Sequence, residues 1–145
     1  MYPYQRPRRL RKSQAIRDLV QETRLHPDDF IVPLFIVEGQ NKKVEIESMP
    51  GYFRMSLDHI KIEVKDLWSM GLKSVLLFVK ADEKLKDNTG KAVIDDNGLM
   101  QKAIKTIKDS VLKMYVMTDV ALDPYSILGH DGIVKDGKIV NDCER

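Results

Sequence analysis

One cysteine among 145 residues, Cys143, leaves no internal disulfide and no thiolate zinc site to be built within the chain. No stretch approaches the roughly 18 uninterrupted apolar residues of a membrane helix. The N-terminus carries arginines where a secretory signal would carry an apolar run, so a cytoplasmic address without membrane contact is the expectation. The phosphate-loop spacing G-x-x-x-x-G-K-[ST] is missing around both Gly71/Lys73 and Gly90/Lys91, and no dinucleotide fingerprint exists. His26 and His59 stand apart from other ligand-type residues and read as cap or surface residues.

What is present is a soluble-domain composition, with apolar residues at 43% and charged residues at 32%. The net charge of +2 is unevenly spread: Arg6, Arg8, Arg9, Arg11, Lys12, Arg17 and Arg24 face only Asp18 and Glu22 in the first 24 residues. Residues 1–12 hold two prolines and few apolar groups, which predicts an extended arm. Its arginines suit carboxylates on a neighbouring subunit as well as nucleic-acid phosphates.

From Ser13, a plausible N-cap, Ile16, Leu19 and Val20 fall at helical spacing until His26-Pro27. Phe30–Val37, Ser74–Lys80 and Met114–Val120 are nearly continuous apolar runs, the pattern of strands buried on both faces, with Pro33 a flaw in the first. Between them, Asp58 is placed to cap a helix running to Met70 and ended by Gly71, and a second helix spans Leu99–Ser110. Residues 39–54 and 82–98 read as loops, and Ile133–Val140 as a small hairpin turning at Asp136-Gly137.

Strands alternating with amphipathic helices imply parallel pairing, either in an open doubly wound sheet or in the opening section of a closed barrel. Both architectures put ligands at the C-terminal strand ends. There the sequence runs Thr118-Asp119-Val120-Ala121-Leu122-Asp123-Pro124-Tyr125, then Gly129-His130-Asp131-Gly132. Asp119, Asp123 and Asp131 are hard oxygen donors suited to Mg²⁺ or ordered water, although Asp-Pro and His-Asp-Gly also serve as plain turn residues. Asp119 ends an apolar strand, so partial desolvation is expected to require a partner. Tyr125 reads either as a phenolic donor into the same cleft or as a packing residue, and Lys80 as a solvated strand-end cation.

Four motifs occur in order: Arg6-Pro7-Arg8-Arg9-Leu10-Arg11, Ser48-Met49-Pro50-Gly51-Tyr52-Phe53-Arg54-Met55-Ser56, Lys86-Asp87-Asn88-Thr89-Gly90-Lys91 and Asp119-Val120-Ala121-Leu122-Asp123-Pro124-Tyr125. Together they resemble the porphobilinogen synthase (δ-aminolevulinic acid dehydratase) family over essentially the whole chain. The resemblance implies a (β/α)₈ TIM barrel of which residues 13–145 hold about three βα units, preceded by the arm at residues 1–12. It implies condensation of two 5-aminolevulinate molecules to porphobilinogen in tetrapyrrole (haem) biosynthesis. It also implies a homo-oligomer, octamer or hexamer, assembled through the arm.

By the same resemblance, Asp119 matches the active-site aspartate, while Ala121, Asp123 and Asp131 stand where zinc-dependent members carry cysteines. No catalytic zinc is therefore expected, and Asp123 and Asp131 face a hard ion or water, with stimulatory Mg²⁺ held mostly by residues outside this chain. The Schiff-base lysines also fall outside it. Ile127-Leu128 departs from the family's Ser-His or Thr-His pair, with His130 the nearest imidazole. Three units cannot close a barrel, so the expectation is a fragment, unstable and inactive alone. The rival expectations are a small doubly wound Mg²⁺-binding phosphoryl-transfer or signalling domain, and a non-catalytic assembly module.

Overall fold

The computed structural model describes residues 4–140. Cys143 lies outside the described residues. Five strands form one sheet: β1 (Ile31–Val37), β2 (Lys43–Ile46), β3 (Met49–Met55), β4 (Ser74–Lys80) and β5 (Tyr115–Thr118), in the order β2-β3-β1-β4-β5. β1, β4 and β5 are parallel, with Leu34 opposite Leu77 and Leu77 opposite Thr118. β3 also runs parallel to β1 but reaches only Phe35 and Ile36, through Arg54 and Met55.

The hairpin of β2 and β3 occupies residues expected to form a loop. Pro50-Gly51 lies inside β3 rather than at a turn, with Gly51 at φ 82° and its N–H donated to Glu45 Oε1 at 3.0 Å. The hairpin sits at the sheet margin, where a proline removes no essential ladder bond. β3 also leaves the N-terminal half of β1 unpaired on that side, so Pro33 has only β4 as a neighbour.

Two helices, α2 (Leu57–Ser69) and α3 (Leu99–Ser110), cover one face of the sheet. Ile60, Val64 and Leu67 from α2 and Leu99, Ala103 and Ile107 from α3 close on Leu34, Ile36, Val75 and Leu77 to make the core. α2 begins two residues earlier than expected. Ser56, not Asp58, precedes it, and the fully buried Ser56 Oγ accepts from Lys42 N at 2.9 Å and donates to Lys42 O at 3.3 Å. Gly71 ends the helix at φ 93°, a left-handed conformation a side chain would resist.

The opposite face is bare. Ile31 and Tyr115, which share a register row with Ser74, are 54% and 63% exposed. Further along, Phe35 stacks on Phe78 with ring centroids 5.3 Å apart and meets Tyr52 edge-on at 6.4 Å. A doubly wound sheet has helices on both faces, whereas a barrel wall has them outside only. With helices on one face, the architecture is α/β and that of a barrel wall.

Ahead of the sheet, Pro7–Arg11 winds into a 3-10 helix instead of running extended, and α1 (Gln14–Val20) follows with Ser13 Oγ accepting from Ile16 N at 3.3 Å. Neither segment buries a residue, and Leu19 of α1 is 83% exposed. His26 is a cap as expected, its Nδ1 accepting from Asp28 N at 3.4 Å while Asp29 closes the reciprocal bond. No helix among the described residues is long and apolar enough to cross a membrane.

Candidate functional site

The loops after β4 and β5 are joined through their main chains. Asp87 donates its N–H to Tyr125 O at 3.1 Å and accepts from Ile127 N at 3.2 Å, a one-residue parallel bridge around Ser126. Asn88 then acts as an artificial strand residue: its Oδ1 accepts from Val134 N at 3.2 Å and its Nδ2 donates to Val134 O at 3.1 Å. Val134 belongs to β6 (Val134–Lys135), which pairs with β7 (Lys138–Ile139) across Asp136-Gly137, both at positive φ as the expected hairpin turn requires.

Asp87 also organises its own turn, its Oδ1 accepting from Thr89 N at 2.6 Å and Thr89 Oγ1 at 2.8 Å. The Thr89 hydroxyl, ahead of the backbone amides, holds the Asp87 carboxyl below the ordinary aspartate range. Sequence reading found this segment only as a motif. Its chemistry is structural.

Asp119 directly follows β5, and its N–H extends the ladder to Leu77 O at 3.3 Å. It is exposed, not partly desolvated as expected, β5 having ended one residue before it. It lines a cavity of about 290 Å³ with Phe78, Met100, Ala121 and Tyr125. Tyr125 is 8% exposed, burial raises its phenol's pKa, and its hydroxyl makes no hydrogen bond among the described residues. The packing reading describes the ring, while the free hydroxyl keeps its donor.

Asp123 is exposed beside a second cavity, of about 260 Å³, lined also by Phe35, Arg54, Phe78, Lys80 and Lys86. Arg54 is half-buried and pairs in register with Phe35, which places it on the bare face of the sheet. Sequence reading passed over it, although its position in the Ser48–Ser56 motif was the available signal. Lys80 is exposed, as expected.

Asp131 does something different. Its Oδ1 accepts from Leu122 N at 2.8 Å and Asp123 N at 3.0 Å, binding the loop's return to its start. Asp119, Asp123 and Asp131 therefore do not converge: no three His, Cys, Asp or Glu side chains among the described residues could enclose a metal ion. Asp123 and Asp131 are the positions expected to face a hard ion or water, and Ala121, Asp123 and Asp131 supply no thiolate for zinc. His130 is exposed, and the buried Ser126 Oγ has no partner among the described residues.

The family model for delta-aminolevulinic acid dehydratase matches residues 4–144. The chain belongs to that family. It is 47% identical over 139 residues to the delta-aminolevulinic acid dehydratase of Bacillus subtilis (strain 168), covering 96% of this chain and 42% of that protein. A chloroplastic relative from Selaginella martensii is 50% identical over 139 residues, 94% of this chain and 33% of the relative. The crystal structure of the Toxoplasma gondii ME49 enzyme in complex with the reaction product porphobilinogen superposes with a TM-score of 0.89 at 43% identity, covering 95% of this chain and 40% of that one. The chain thus spans about 42% of the length of the Bacillus relative, and its sheet is part of the TIM barrel of that family.

Proposed function

We propose that this chain supplies the first strands, the arm and the Asp119 loop of a porphobilinogen synthase, which condenses two 5-aminolevulinate molecules in tetrapyrrole biosynthesis. The observation that carries the reading is the coincidence of a barrel-wall sheet, bare on its inner side, with a likeness to a product-bound dehydratase over 95% of the chain. Asp119 acts at the mouth of the barrel as the carboxylate that orients or protonates substrate, and the Tyr125 hydroxyl donates into the same cavity. The Schiff-base lysines and the ligands of a stimulatory Mg²⁺ belong to segments outside these residues. No zinc takes part, since alanine and aspartates stand at positions 121, 123 and 131.

The basic segment around Arg6–Arg17 and the uncovered Leu19 form the surface through which copies assemble into a homo-oligomer, octamer or hexamer. A cytoplasmic location is part of this reading, and cell fractionation tests it. For activity, porphobilinogen formation from 5-aminolevulinate is measured colorimetrically for this chain and for a polypeptide extended to the length of its relatives. The extended protein turns over and the chain alone does not. Asp119→Asn lowers kcat of the extended protein by at least about 100-fold. Turnover by the isolated chain, or full activity in the Asp119→Asn protein, sinks the assignment.

A further inference from the structure

We propose that Asp131 is a positioning residue rather than a metal ligand: its carboxylate cross-links the two ends of the Asp119 loop and so fixes where Asp119 and Asp123 stand. The consequence for catalysis rests on the function proposed above, but the cross-link itself does not. One oxygen, Oδ1, receives the N–H groups of Leu122 and Asp123 at 2.8 and 3.0 Å, the two amides that enter the turn leading to Tyr125. Two N–H donors converging on one oxygen constrain both the position and the rotation of the carboxylate.

The rest of the loop is built to deliver that carboxylate. Gly129, at φ 66°, reverses the chain, and Gly132 lies so close to the hairpin that a Cβ there would come within 2.5 Å of Ile139 Cγ2. The hairpin is anchored in turn by the two Asn88 bonds to Val134. Asp131 is thus set from its C-terminal side by packing and a side-chain latch, and it in turn holds the amides of Leu122 and Asp123. The cross-link a shared metal would make between residues near 122 and 131 is made here by hydrogen bonds.

Two variants separate a cross-link from a charge or a ligand. Asp131→Asn keeps an oxygen acceptor and loses the charge, and Asp131→Ala loses both. Amide hydrogen exchange on the chain is expected to speed up about tenfold at Leu122 and Asp123 in the alanine variant and by less than about threefold in the asparagine variant. Ile107 and Val64, in buried helix faces, report whether the fold as a whole survives. In the extended polypeptide, Asp131→Ala lowers kcat on the order of tenfold with KM for 5-aminolevulinate little changed, and Asp131→Asn restores it without altering the response to Mg²⁺. The proposal is overturned if the alanine variant exchanges or turns over like the parent, or if the asparagine variant fails like alanine and loses a bound divalent ion. An extended parent that forms no porphobilinogen would remove the functional reading while leaving the exchange result intact.

Discussion

Replacing Asn88 with alanine should release the β6–β7 hairpin without disturbing the loop bridge beside it. The amide makes two neutral, partly buried hydrogen bonds to Val134, at 3.1 and 3.2 Å. Each contributes about 0.5–1.5 kcal/mol net, so together they hold the hairpin by about 2 kcal/mol. At about 1.4 kcal/mol per decade, that is roughly a 30-fold rise in local opening. Hydrogen exchange reads it directly: the Val134 amide loses its acceptor, and the Val140 amide, bonded to Ile133 O at 2.8 Å, follows as the hairpin frays. The Ile127 amide, held by the main-chain oxygen of Asp87 at 3.2 Å, keeps its protection. Asn88→Asp does not rescue, because a carboxylate oxygen then faces the Val134 carbonyl where a donor stood. Unchanged exchange at Val134 in Asn88→Ala, or equal loss at Ile127, would refute the separation of side-chain latch from main-chain bridge.

Leu77→Ala empties a fully buried site between the sheet and both helices and should cost about 3 kcal/mol in urea unfolding, whereas Tyr115→Lys, on the bare face, should change the chain's stability by less than about 0.5 kcal/mol. Gly90 sits at φ 63°, and a Cβ there would meet Leu122 at an ordinary 3.5 Å, so Gly90→Ala pays only for the left-handed backbone, about 1–2 kcal/mol by the same assay. The Asp87 carboxyl is held below its ordinary 3.8 mainly by Thr89, so the unfolded chain takes up the proton first. Protection of the Thr89 amide is therefore flat from about pH 7 to about pH 5 and is lost as pH falls below about 4, and Asp87→Asn abolishes that dependence.

The three barrel strands and α3 declare themselves in the sequence because burial and periodicity act on them together: Val75 and Leu77 face helices while Leu76 and Phe78 face the barrel's inner side, so the run reads as apolar throughout. The β2–β3 hairpin does not, since Lys43, Glu45, Pro50 and Gly51 are exposed and a marginal strand has no apolar signature to show. The arm's 3-10 turn was hidden by its prolines, one of which, Pro7, starts the helix it was expected to prevent. At the site, a carboxylate after an apolar strand singled out Asp119, which lines the cavity beyond β5, though not its exposure. The division of labour between Asp123 and Asp131 was not legible, because it depends on a chain reversal that returns residue 131 to the amides of 122 and 123.

The placement of the core on the outer side of the sheet has a consequence for synthesis. Every buried contact among Leu34, Leu77, Val64 and Ile107 joins residues within the first 107, and none waits for the inner face to be covered. As the polypeptide leaves the ribosome, α2 and α3 can clamp β1 and β4 into a preformed wall, with Phe35, Phe78 and Tyr115 displayed as the template on which later strands settle.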